Sequence, residues 1–155
     1  MIIKIFTIGN KLNQWESEGI EFYTKQLPKN LEVEFINLKG HQNKSFSINE
    51  VIEKESNTIM SKISKDEYTI AWDSSGEKIT SESFANFIMD HQRINPNVSF
   101  IIGGSFGLSA TIKKRSDRVF SASLLTFPHK LFRLLLVEQI YRSYSIINKM
   151  PYHKF

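Results

Sequence analysis

The sequence predicts an α/β fold built on a mostly parallel sheet, and three observations carry that expectation. Short β-branched runs alternate with segments of helical period along the whole chain, the pattern of strands joined by crossover helices. Most of these runs end in Gly, Asn, Asp, Ser or Pro, the residues that punctuate elements. The 155 residues, 41% hydrophobic with 12 Phe and 2 Trp, supply one core of ordinary size. Residues 1–155 therefore read as a single domain, without an internal repeat or a linker rich in Pro, Gly or Ser.

Ile2 to Ile8 is a buried strand closed by Gly9-Asn10. Trp15 to Leu27 follows with apolar residues at Trp15, Ile20, Phe22, Tyr23 and Leu27, a helical rhythm stopped by Pro28. Val33 to Leu38 is the second strand, and Lys39 to Ser45 a polar loop. Ser47 and Glu50 have capping-box spacing ahead of a helical stripe of Ile48, Val51, Ile52, Ile59, Met60 and Ile63. Tyr68 to Trp72 is the third strand, expected to stop at Asp73-Ser74-Ser75-Gly76. Thr80 to Arg93 is helical through Phe84, Phe87, Ile88 and His91, and Asn95-Pro96-Asn97 breaks it. Val98 to Ile102 runs into Gly103-Gly104, Ser109 to Arg118 forms a short basic helix, and Val119 to Leu125 is the fifth strand. Pro128 suits the first turn of a long helix reaching about Lys149. Its apolar residues cover more circumference than one buried face needs. One cover is the sheet; the simplest second cover is the same helix of another subunit in a two-fold dimer. The alternative is a helix central to its own domain.

Charge is unevenly spread. Residues 1–110 carry 11 basic and 14 acidic side chains, residues 111–155 carry 9 and 2, and the whole has a formal charge of +4. That total is modest for a nucleic-acid binder, but the last third is cationic. The absence of cysteine removes disulfides, thiolate metal sites and thiol nucleophiles. His41, His91, His129 and His153 show no short ligand spacing, so no metal is expected. No stretch of eighteen uncharged apolar residues occurs and the start lacks a cleavable signal, so a soluble cytoplasmic protein is expected, with no membrane partner.

Three constellations carry chemistry. Ile101-Ile102-Gly103-Gly104-Ser105-Phe106-Gly107 puts glycines where a buried strand ends, the position at which open α/β sheets bind ligands. It is neither a dinucleotide fingerprint nor a phosphate-binding P-loop, and alone it equally describes a tight turn. Ser123 to Lys130, followed by Arg133, joins a strand end, a proline and a helix start. His129, Lys130 and Arg133 are cations at a helix N-terminus, where the macrodipole disfavours them and a bound polyanion would remove the objection. Met150 to Phe155 interleaves aromatic and basic groups, as stacking on an unpaired base and pairing with phosphate require. Trp72 and Asp73 form a lesser pair, and Lys113-Lys114-Arg115 with Arg118 extend the basic end.

Val98 to Leu108, Leu125-Thr126-Phe127-Pro128-His129, Glu138-Gln139-Ile140-Tyr141-Arg142 and Pro151-Tyr152-His153-Lys154 together resemble the ribosomal large-subunit methyltransferase H (RlmH) family over essentially the whole chain. The resemblance implies a SPOUT-class fold with a deep C-terminal trefoil knot, a homodimer, and methyl transfer from S-adenosylmethionine. The implied substrate is N3 of pseudouridine 1915 of 23S rRNA in the assembled ribosome. The general avoidance of threaded chains would argue against the knot.

Position by position, the resemblance puts the cofactor loops on Trp72, Gly104 and Ala122-Ser123-Leu124-Leu125-Thr126-Phe127. Trp72 departs from the usual leucine, and Phe106 from a commonly acidic or polar residue. The implied catalytic set is His129, Arg133, Tyr152 and His153. Either His129 or His153 accepts or relays the N3 proton, and Tyr152 stacks or orients the base. Arg133, Arg142 and Lys154 hold phosphate or base carbonyls; Lys154 replaces an arginine found in many members, losing the planar fork. The competing readings are a non-catalytic rRNA-binding module and an unrelated nucleotide-binding α/β enzyme.

Overall fold

In a parallel sheet covered on both faces, central strands lose the alternation of polar and apolar residues. β1 (Ile2–Ile8) meets that condition, with Ile3, Ile5, Phe6 and Ile8 all buried. The computed structural model describes residues 1–9, 11–95 and 97–154. After β1 come α1 (Gln14–Thr24), β2 (Glu32–Leu38), α2 (Ile48–Met60), β3 (Thr69–Lys78), α3 (Ser81–Ile94), β4 (Asn97–Ile102), α4 (Ala110–Arg115), β5 (Arg118–Ser121) and α5 (His129–Ile147). The strands form one sheet in the order β2-β1-β4-β3-β5, with every neighbouring pair parallel. The α/β class with a parallel sheet read from sequence is thus the observed architecture.

Successive side chains of a strand point to opposite faces, and the two apolar layers follow that rule. Ile3, Ile5, Ile70, Trp72, Phe100 and Ile102 pack with Ile20 of α1, Phe84 and Ile88 of α3, and Leu136, Val137 and Ile140 of α5. Phe6, Ile8, Leu38 and Ile101 pack with Ile59 of α2 and Ile112 of α4. The sheet therefore lies between α1, α3 and α5 on one side and α2 and α4 on the other.

Several expected boundaries move. α1 ends at Thr24 rather than Leu27, with Lys25, Gln26 and Leu27 continuing as turns that bond back to Glu21, Tyr23 and Thr24. β3 does not stop at Trp72: it bulges through residues 73–76 and pairs again at Glu77 and Lys78 with Phe120 and Ser121. Gly76 makes this possible, because a Cβ there would lie 2.7 Å from the Phe120 carbonyl carbon. α4 stops at Arg115, and Arg118 belongs to β5. β5 ends at Ser121 rather than Leu125, leaving Leu124 and Leu125 83% and 72% exposed. An apolar pair without a partner strand carried no sequence signal that the strand had already finished. Asn10, Pro96 and Phe155, which the sequence reading placed in a turn, a helix break and the tail, lie outside the described residues. The capping box at α2 is as expected: Ser47 N–H donates to Glu50 Oε2 at 2.6 Å and Glu50 N–H to Ser47 Oγ at 3.2 Å.

α5 is covered largely within its own chain, lying on the sheet layer between α1 and α3. An ion pair fixes it there. Arg133, 1% exposed, donates through Nη1 to Glu16 Oε1 at 3.4 Å and through Nη2 to the Ile8 carbonyl at 3.2 Å. Glu16 is fully buried, and its Oε2 also accepts the Asn13 N–H at 2.8 Å. Helix α5, helix α1 and the end of β1 thus meet at one guanidinium. Removing one member of a buried pair strands the other charge, a cost of about 3–5 kcal/mol. Glu16→Ala is expected to lower the unfolding free energy by that amount in urea titrations, and a double replacement of Glu16 and Arg133 by apolar residues to recover most of it.

Candidate active site at the carboxyl ends of the central strands

The carboxyl ends of β3, β4 and β5 are adjacent because these strands are neighbours in the sheet, and each continues into a segment that is neither helix nor regular strand. β4 passes into Gly103 and a tight turn, closed by the Gly107 N–H donating to the Gly104 carbonyl at 3.0 Å. A Cβ on Gly103 would lie 2.7 Å from the Gly107 carbonyl carbon, so only glycine lets the two limbs approach this closely. The far end of the turn is anchored by Ser109, whose Oγ caps α4 at the Ile112 N–H (3.1 Å) and meets Ser56 Oγ of α2 at 2.8 Å.

The β5 exit runs from Ala122 to Pro128 and is shaped locally. Ser121 Oγ donates to the Ser123 carbonyl at 3.1 Å, and Ser123 Oγ accepts the Leu125 N–H at 2.9 Å. Two cavities of about 260 and 270 Å³ open beside this segment. They share Trp72, Ala122, Ser123, Phe127 and Phe132 as walls. The first is closed by Asp73, Ser74 and the Gly103–Gly107 turn, the second by the start of α3 and by Gln139. Adjoining cavities lined by apolar rings, hydroxyls and bare glycine backbone suit a small molecule with an aromatic part and a polar chain. Trp72 lines both, its ring centroid 5.6 to 5.9 Å from those of Phe84, Phe100, Phe120 and Phe132.

Trp72, Gly104, Ala122, Ser123, Leu125, Thr126 and Phe127 therefore border this pair of cavities, as does His129. Leu124 does not line them and points to solvent. Burial lowers the His129 imidazole below its usual range, and Arg133 and Lys130 lower it further. A neutral ring able to accept a proton near pH 7 is the result. At Asp73 burial alone would raise the carboxyl, but hydrogen bonds from Ser75 and the Lys113 ammonium 3.6 Å away leave it below the ordinary value.

The other candidates are elsewhere. Arg133 is enclosed with Glu16, so its guanidinium does not present a face to an RNA phosphate, and the electrostatic objection to a cation there is answered by a buried carboxylate instead of a bound polyanion. Arg142 pairs with Glu138, its Nε at 2.9 Å from Oε1, and lies over the Tyr152 ring. Tyr152 donates to Glu138 Oε1 at 2.9 Å; burial, Tyr23 and Glu138 all raise its phenol, which stays protonated. His153 Nδ1 meets Ser145 Oγ at 3.0 Å, and Lys154 is exposed. Arg142 is thirteen residues beyond His129, about 20 Å along α5. Within one chain the cavity beside His129 and the glycine turn lies at the start of that helix, whereas the tail packs from Glu138 onward, next to Gln139 at the edge of the second cavity.

Two carboxylates at this end of the sheet went unnoticed in the sequence. Glu16 is the buried partner of Arg133, and Glu55 lies behind Gly104. A signal existed for Glu55, since Val51, Glu55 and Ile59 fall on one helical stripe, where a charge is out of place.

Comparison with known proteins bears on this geometry. A family model described as predicted SPOUT methyltransferase matches residues 1–153. Proteins named ribosomal RNA large subunit methyltransferase H are similar over the full length. The one from Caldicellulosiruptor bescii is 40% identical across 99% of this chain and all of its own, and the one from Acholeplasma laidlawii 42% identical over the same shares. Among solved structures, the tRNA (m1G37) methyltransferase from Aquifex aeolicus superposes with a TM-score of 0.57 at 14% identity, covering all of this chain and 76% of that one. At that identity the likeness concerns the fold. The parallel sheet, the loops gathered at its carboxyl edge and the full-length match lead to one conclusion: the chain belongs to the SPOUT methyltransferase family.

Proposed function

We propose that this protein transfers a methyl group from S-adenosylmethionine to N3 of pseudouridine 1915 of 23S rRNA in the assembled ribosome, in the cytoplasm and as a homodimer. The observation that carries the reading is the cavity pair bordered by the turn after β4, the exit of β5 and the side chain of His129. The full-length similarity to relatives named for a large-subunit rRNA methyltransferase supports the substrate class.

When bound, the cofactor supplies an electrophilic methyl on a sulfonium; alignment and proton handling are left to the protein. Gly104 and the Gly103–Gly107 turn give backbone access on one side, Ala122 to Phe127 on the other, and Trp72 and Phe127 offer rings for an adenine. His129 takes the N3 proton of the target base, which leaves a charged imide for cations to stabilise. Arg133 acts by positioning: its pair with Glu16 fixes the first turns of α5, from which His129 projects.

Arg142, Tyr152, His153 and Lys154 act in the reading through the partner subunit's cavity, because the His129 end of their own lies thirteen residues, about 20 Å along α5, before Arg142. A face suited to such pairing exists. Trp15, Gly19 and Phe22 share one side of α1, Trp15 and Phe22 are largely exposed, and Leu134 of α5 fits against Gly19 with Leu131 one turn away. Packing two copies through this strip would bury aromatic rings now facing water. The trefoil knot belongs to the same proposal, with the β5 exit as the threaded segment.

Incubating the protein with labelled S-adenosylmethionine and ribosomes lacking the modification should place one methyl on N3 of that pseudouridine. Ribosome binding without any transfer would leave a non-catalytic RNA-binding module. His129→Ala is expected to reduce kcat by roughly 10²–10⁴-fold with cofactor affinity retained. In the wild type the acid limb of the kcat profile should fall below the usual histidine range, because burial has lowered His129. Phe22→Asp should shift the chain to a monomer in analytical ultracentrifugation and abolish ribosome methylation.

A further inference from the structure

Glu55 is 5% exposed on the apolar stripe of α2, between Val51 and Ile59. Its Oε1 takes a long hydrogen bond of 3.4 Å from the His41 N–H, and its Oε2 has no hydrogen-bond partner among the described residues. A Cβ built on Gly104 would lie 3.0 Å from that Oε2. Gly104 also lines the first cavity, so one thickness of backbone separates the carboxyl group from whatever occupies it. Around Glu55, the end of β1 contributes Ile8, the turn after β4 its glycines and α4 Ile112, while His41 is the titratable neighbour. The other carboxylate at the cavity, Asp73, is already matched by Lys113 and Ser75.

We propose that Glu55 determines which form of the cofactor the cavity prefers: its buried carboxylate behind Gly104 favours a sulfonium over a neutral thioether. The inference rests on the methyl-donor reading above. S-adenosylmethionine carries a sulfonium, an ammonium and a carboxylate, for a net charge of +1; its demethylated product, S-adenosylhomocysteine, is net neutral. A charge held in a poorly solvated wall acts strongly across a short path and needs no reorganisation. Burial pushes the Glu55 carboxyl up, and a cation arriving in front of Gly104 draws it back to the ionised form. The neutral product provides no such pull, so the same residue that helps hold the donor leaves the spent cofactor without that attraction.

Calorimetric titration at pH 8 with each ligand tests this without turnover. Glu55→Gln, isosteric and uncharged, should weaken S-adenosylmethionine about tenfold while leaving the Kd of S-adenosylhomocysteine unchanged, the latter also reporting an intact cavity. Glu55→Asp should keep the preference for the donor. Should the amide variant fail to fold, Glu55→Met, apolar and of similar length, takes its place in the same comparison. Equal weakening of both ligands, or no change in either, overturns the proposal. A wild type that binds neither ligand overturns the methyl-donor reading together with it, and a wild type that binds both, with their ratio indifferent to residue 55, overturns this inference alone.

Discussion

The parallel pairing of β3 with β4 on one side and β5 on the other is the constraint from which the site follows. Parallel neighbours deliver their carboxyl ends to the same edge, so the bulge after Trp72, the turn after Ile102 and the exit after Ser121 have to meet there. The bulge in β3 matters as much as the pairing. By leaving the ladder at Trp72 and rejoining it at Glu77, β3 keeps its hydrogen bonds with β5 while pushing Asp73 and Ser74 out towards the cavity. Gly76 permits it because the bulged chain returns almost onto the β5 backbone.

Two buried carboxylates divide the electrostatic work. Glu16 neutralises Arg133 and ties α5 to α1 and to the end of β1. That pair sets the direction in which the start of α5 leaves the β5 exit, and with it the position of His129. Glu55 stands on the opposite face of the sheet, one of its oxygens without a hydrogen-bond partner among the described residues. A buried acceptor without a donor is costly, and such groups concentrate where a protein binds or reacts. Ser56, the next residue, meets Ser109 and holds the other end of the glycine turn, so α2 supports that turn from both ends.

The loops that border the cavities were readable because their signals are local. Glycines after a β-branched run, a proline before a helix and the Thr126-Phe127-Pro128-His129 element are properties of consecutive residues, and the loops they announce do border the cavities. Arg133 looks different in sequence and in structure for the opposite reason. Its sequence neighbours make it a cation at a helix start, whereas its partner Glu16 is 117 positions away and becomes visible only when α1 and α5 pack. Leu124 and Leu125 likewise look like strand, since exposure is decided by whether a partner strand exists, and among the described residues the pairing of β5 ends at Ser121.

From sequence alone came the alternation of strands and helices, the α2 cap, the cationic last third and the family to which the motifs are similar. These depend on period, composition and short-range chemistry, which a linear string carries. The strand order, the bulge in β3, the enclosure of Arg133 and the carboxylate behind Gly104 were decided by tertiary structure. Each is a contact between residues far apart in the chain, formed only when burial brings together groups whose sequence positions say nothing of one another.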